Sequence, residues 1–90
     1  MIQITAIRMS PPNSDTTHIT HVRWVNPTTN VTDDCRRVVV ADWIDEGGDA
    51  YVKVGSDVSR VTTFPLGGEK YLRTTPDSTT RDNLLGLPRF

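Results

Sequence analysis

The stretch from Asp33 to Gly48 constrains the chain most, because it carries the one helical pattern in an otherwise strand-rich sequence. Asp33 reads as an N-cap, and Asp34 beside it complements the helix dipole. Gly47 falls where a left-handed C-cap belongs. Between them Val39, Val40, Trp43 and Ile44 follow i, i+1, i+4, i+5 spacing and predict one apolar stripe, with Trp43 in the core. Arg36, Arg37, Asp42, Asp45 and Glu46 are left to the wetter faces. A lone amphipathic helix must bury its stripe against something, and the flanking segments alternate as strands do.

Ile2 to Met9 reads as a first strand and His18 to Val25 as a second. In the second, Ile19 and Val25 have one parity, Val22 and Trp24 the other. A bulge near His21, or burial on both faces, reconciles them. Asn26-Pro27-Thr28-Thr29-Asn30 is a turn that could close a hairpin onto Val31-Thr32. After Gly47-Gly48, a third strand spans Ala50 to Val54, a fourth Val58 to Phe64, and a fifth Lys70 to Thr75, with short turns between them. Leu84, Leu85 and Leu87 make the tail from Asp82 to Pro88 a short helical turn docked on the core. The expectation is an α+β domain over residues 1–90: a small antiparallel sheet of about five strands packed on one helix, order β-β-α-β-β-β, with a docked C-terminal turn.

Ninety residues support one core. Thirteen threonines favour strands. The net charge of −1 gives no global field toward nucleic acid or membrane. Eight of the ten basic residues are arginine, the side chain suited to bidentate recognition of carboxylate or phosphate. Cys35 is the only cysteine, so no internal disulfide forms. No apolar run reaches the length of a membrane span, and the amino terminus lacks signal-peptide character. A cytoplasmic location follows as the expectation.

Catalytic and metal motifs are lacking. His18 and His21 lie three apart on an expected strand, so they point to opposite faces and cannot chelate together. Cys35, placed in the first helical turn, could have a lowered pKa, but a small, partly buried core residue is the plainer role. Gly47-Gly48 and Gly67-Gly68 lack the phosphate-loop lysine and the dinucleotide fingerprint. No cofactor, metal or enzymatic activity is expected.

One constellation stands out. Tyr71 and Arg73 share a strand face opposite Leu72, and the following loop returns Arg81, Asp82 and Asn83. With the hydroxyls of Thr74 and Thr75 they would form an anion-accepting surface. The plainer alternative is an Arg73–Asp82 pair that pins the tail. Trp24, with Arg23 beside it, is the second candidate, as a partly exposed strand tryptophan that anchors a partner.

Ile4-Thr5-Ala6-Ile7-Arg8, His18-Ile19-Thr20-His21-Val22, Asp42-Trp43-Ile44-Asp45-Glu46-Gly47, Tyr51-Val52, Tyr71-Leu72-Arg73-Thr74 and Asp82-Asn83-Leu84-Leu85-Gly86-Leu87-Pro88 together resemble the domain-of-unknown-function family 3892, small proteins of bacteria and their phages. The resemblance spans nearly the whole chain and implies a stand-alone intracellular domain, with no activity or site residues to carry over. The expected function is a non-enzymatic binding module that occupies a protein partner, in a phage setting an inhibitor of a host defence protein. The alternative is a small binder of a nucleotide or phosphorylated ligand through the Tyr71, Arg73 and Arg81 face. No membrane partner is expected, and the oligomeric state is open, a homodimer included.

Overall fold

The computed structural model describes residues 1–11, 16–74 and 83–90. In chain order these form β1 (Ile2–Met9), β2 (Ile19–Asn26), β3 (Val31–Arg36), α1 (Arg37–Asp45), β4 (Ala50–Val54), β5 (Asp57–Leu66) and β6 (Glu69–Thr74). Short 3-10 turns lie at Thr16–His18 and Asn83–Gly86. The class is α+β, and the strands stand in the order β3-β2-β1-β4-β5-β6. All neighbours are antiparallel except β1 and β4, which run parallel. The helix is the crossover that returns the chain to the free side of β1.

The sheet therefore has six strands rather than five. The additional strand is β3, and it replaces the expected start of the helix. The two acids read as helix-capping are engaged within the sheet. Asp34 takes a bidentate ion pair from Arg23 on β2, at 2.6 and 3.1 Å, and the Asp33 carboxylate accepts the Asp34 backbone N–H at 2.8 Å. Neither is left to cap a helix. Helical structure begins only at Arg37, after an extended Arg36 (φ −67°, ψ 148°) that makes no side-chain cap.

This shorter helix also turns its buried face. Val40 and Ala41 are buried and Ile44 packs partly against the core, whereas Val39 is 54% exposed and Trp43 36%. Arg37, Val40, Ala41 and Ile44 stand at i, i+3, i+4, i+7, the true inner stripe. Trp43 is thus a wall of the surface, not a core residue. The helix closes with paired bonds, Gly47 N–H to the Ile44 carbonyl and Gly48 N–H to the Trp43 carbonyl, both 3.0 Å. Gly47 takes the positive φ (105°) that this Schellman arrangement needs, as its place after the helix foretold.

Two bulges settle the mixed parities. In the β1–β2 ladder Arg8 pairs His21 while Met9 pairs Ile19, so Thr20 is the extra residue. Ile19 and Val22 consequently both reach the core, each fully buried. Thr5 plays the same part on β1, where Ile4 pairs Trp24 and Ala6 pairs Arg23. His18 lies in the preceding 3-10 turn rather than on β2.

Parallel pairing of β4 with β1 covers only Ile2 to Ile4. Beyond it, the carboxyl-terminal segment takes the vacated edge. Ile7 N–H donates to the Pro88 carbonyl at 3.0 Å, and Phe90 N–H donates to the Ile7 carbonyl at 3.1 Å. Leu84 and Leu87 are buried in the same cluster as Ile4, Val22, Val52, Val61 and Leu72. The expected docked tail is present. No helix among the described residues is long and apolar enough to cross a membrane.

Candidate functional site

Strand alternation separates two of the expected site residues at once. Trp24 and Arg23 are neighbours on β2 and so project to opposite sides of the sheet. Arg23 belongs to the outer side, ion-paired with Asp34 and stacked 4.4 Å from the centroid of the Phe90 ring. Trp24 belongs to the helix side, half-buried against the core cluster. They do not form one surface.

Trp24 instead meets Trp43. With Ile2, Cys35, Val39 and Val40 they line an apolar groove of about 320 Å³ between the β2–β3 hairpin and α1. The helix supplies Val39 and Trp43 because its buried stripe is turned toward Val40 and Ala41. Cys35 lies on the groove wall, on β3 rather than in a helical turn. Burial raises its thiol above the ordinary value, against a smaller opposing contribution from its hydrogen bond with Trp24. That is the opposite of the activation a helix start would give. Val31 and Asp33, by register with Asn26 and Trp24, stand on the same side of the sheet as this groove, and Val31 is 54% exposed. The groove thus opens beside the free edge of the sheet, and that edge is itself guarded, since the Asp34 N–H already has the Asp33 carboxylate as acceptor.

The Tyr71 and Arg73 face is only partly as expected. Leu72 is fully buried, while Tyr71 is half-buried and Arg73 exposed on the opposite face. Arg73 lies over the Phe64 ring at 5.2 Å, Phe64 and Tyr71 have centroids 5.7 Å apart, and Arg37 covers Tyr71 at 4.4 Å. Two rings in contact are thus capped at either end by a guanidinium. Thr74 corrects the expectation: it is buried, on the side of Leu72, because two residues along a strand restore the same face. Its hydroxyl is not offered to a ligand at Arg73. Arg81, and with it the proposed Arg73–Asp82 clamp, lies outside the described residues, as do Thr75 and the loop. Asn83 opens the last 3-10 turn.

The residue that the sequence pattern did not single out is Arg37. It donates to the Ile19 carbonyl at 3.0 Å and to the Glu69 carboxylate at 3.0 Å while its plane rests on Tyr71. It thereby ties the start of β2 to the start of β6 across the mouth of the sheet. The apolar pattern leaves it to the wetter faces, and the structure corrects this: its side chain is only 16% exposed, and its one signal in the sequence is the i, i+3, i+4, i+7 spacing with Val40, Ala41 and Ile44. Beside it Thr20, His21, Arg36, Val38 and Tyr71 border an open polar hollow. The His21 ring nitrogen Nδ1 is 3.0 Å from the Thr20 hydroxyl. Among the described residues no three His, Cys, Asp or Glu side chains are grouped as a metal site would need.

No curated protein and no solved structure matches the chain. Residues 3–88 match the family model described as protein of unknown function, DUF3892. The match takes in the helix, the last 3-10 turn and every strand apart from Ile2 of β1, and the chain belongs to that family.

Proposed function

We propose that this protein is a non-enzymatic binding module of the cytoplasm that occupies a protein partner through the groove between Trp24 and Trp43. One observation carries the reading: two indoles flank one apolar groove whose outer wall, Val39, is 54% exposed on a helix otherwise anchored to the core. A volume of about 320 Å³ is at the small end for ligand pockets, and suits one bulky apolar side chain better than a cofactor. Tryptophans flanking a largely apolar pocket are the anchors that concentrate binding energy at protein interfaces. Asp33 projects on the same side, so the partner segment pairs a leucine or aromatic anchor with a basic neighbour. The raised Cys35 thiol supports a binding role over a nucleophilic one. In a phage, the same module would serve as an inhibitor of a host defence protein.

The test is selection from a displayed peptide library. Convergence on a large apolar residue next to Lys or Arg is expected, with loss of binding in Val39→Asp and retention in Arg73→Ala. Peptides that bind Val39→Asp as tightly as the native protein would remove the groove from consideration.

A second reading is favoured by Arg73, which is exposed above Phe64 with no acid partner among the described residues. In it Arg73 and Tyr71 hold the phosphate of a nucleotide or other small anion. Amide and guanidinium shifts at Arg73 during titration with a mononucleotide test it.

A further inference from the structure

The side of the sheet turned away from α1 has an organised charge pattern. Register and alternation assign to it Arg8 of β1, Arg23 of β2, Arg36 of β3, Lys53 of β4, Arg60 of β5 and Arg73 of β6. Each strand contributes one basic residue. The helix side is the more acidic one: Asp33, Asp42, Asp45 and Glu46 stand there against Arg37 and Lys70, with Lys70 bonded to both Asp42 and Asp45. A chain of net charge −1 is therefore polarised across its own thickness. Two of the six cations are already matched, Arg23 by Asp34 and Arg60 by Asp49. No ion pair among the described residues joins Arg36, Lys53 or Arg73 to a carboxylate.

Aromatic rings interleave with these cations on the same side. Phe90 lies between Arg8 and Arg23, at 4.9 and 4.4 Å from their guanidinium carbons. Phe64 lies beneath Arg73. Tyr51 stands between Gln3 and Arg60 in the register and is half-exposed. The carboxyl-terminal segment covers part of this face at Phe90, and Arg37 of α1 rests on Tyr71 at the β6 end, while Leu84 and Leu87 pack into the core on the other side.

We infer that the outer face of the sheet binds single-stranded nucleic acid. Cations spread over six strands follow a polyanion better than they enclose one small anion, and flat rings beside guanidinium planes provide stacking surfaces for unpaired bases. The pattern lacks the depth for duplex readout, which places a helix or ribbon in a groove. The inference extends the second reading from a single phosphate to a polymer, and a mononucleotide control separates the two.

Fluorescence anisotropy with labelled DNA and RNA strands of about 16 nucleotides, near the upper site size of single-strand binding folds, is the direct test. Saturable binding is expected that weakens steeply between about 50 and about 200 mM salt. Lys53→Glu and Arg73→Glu should each lower affinity about tenfold or more, and neutralising one phosphate contact should reduce the logarithmic salt slope by about 0.7. Thermal midpoints of the variants establish that they are folded, and Lys53→Gln and Arg73→Gln replace any that are not. Val39→Asp, in the groove, should leave strand binding unchanged. The DNA and RNA arms identify which polymer is preferred. Equal affinity for a mononucleotide, equal affinity for polyglutamate, or binding indifferent to both charge reversals would overturn the inference.

Discussion

Gly48 donates its backbone N–H to the Trp43 carbonyl at 3.0 Å, and the indole of Trp43 fills the space a Gly48 side chain would need. One contact thus ends the helix and sets one wall of the groove. Any Cβ at position 48 meets ring carbons rather than a movable chain end. Gly48→Ala must push the indole away from the helix end, at a cost of about 1–3 kcal/mol, the usual range for overpacking. A lowered urea midpoint together with a shift in tryptophan emission is expected. Unchanged emission would show that the indole does not rest on Gly48.

Arg37 is the second dependency. Its guanidinium answers Ile19, Glu69 and Tyr71 at once, and a lysine ammonium cannot reproduce that fork or lie flat on the ring. Arg37→Lys should therefore destabilise almost as much as Arg37→Ala. Both should lose about 1.5–3 kcal/mol, the range for hydrogen bonds to a charged group. Chemical denaturation of the two variants in parallel decides it; near-native stability in Arg37→Lys would reduce the contact to simple charge.

The carboxyl-terminal segment completes β1, so its loss should be felt far from the end of the chain. Leu84 is fully buried, and Leu84→Ala should cost about 2–5 kcal/mol. Removing residues 83–90 should also deprive the Ile7 amide of its acceptor, Pro88. Amide exchange at Ile7 should then accelerate more than exchange at Val52 on the adjacent β4, whose pairing with β1 covers only Ile2 to Ile4. Equal acceleration at both would mean global unfolding instead.

Much of this architecture was legible from periodicity. β1, β4, the turn glycines, the bulge beside His21 and the docked leucines all follow from alternation and local turn chemistry. Gly67 and Gly68, both with positive φ (60° and 80°), close the Leu66–Glu69 hairpin as a paired-glycine turn does. The missed strand failed for a definite reason. Asp33-Asp34 has the same composition whether it caps a helix or stands on an edge strand, and only Arg23, eleven residues from Asp34, decides between them. The core assignment of Trp43 fails for a separate reason: Val39, Val40, Trp43 and Ile44 are the large apolar residues at helical spacing, whereas the inner stripe is completed by the small Ala41 and by Arg37, and that leaves Trp43 to form a groove with Trp24. Tyr71 and Arg73 were placed on the right face because strand parity needs no long-range information. Thr74 was not, although the same parity would have excluded it.

The last prediction concerns the acidic side of the helix. Asp45 accepts from the Thr63 hydroxyl at 2.6 Å and pairs with Lys70 at 2.9 Å, and Lys70 also reaches Asp42 at 2.8 Å. The Thr63 hydrogen bond first, and Lys70 second, hold the Asp45 carboxyl below the ordinary carboxylate range. Asp42 and Asp45 in turn hold Lys70 above the ordinary ammonium value. A depressed carboxyl contributes stability above its unfolded pKa, and the contribution disappears as pH falls through the folded value. A raised ammonium contributes below its unfolded pKa and loses this as pH rises through the folded value. The native protein should thus lose stability at both ends, below about pH 4 through Asp45 and above about pH 10 through Lys70. Thr63→Val removes the larger influence on Asp45, so the Asp45 carboxyl should titrate closer to the ordinary range in a carbon-detected NMR titration. The acid-side fall in the thermal midpoint should shrink relative to the native protein, while the alkaline side, governed by Lys70, keeps its shape. A Thr63→Val variant whose Asp45 titrates as in the native protein would transfer the effect from the hydroxyl to Lys70, and Lys70→Met would then be the substitution that flattens the acid limb.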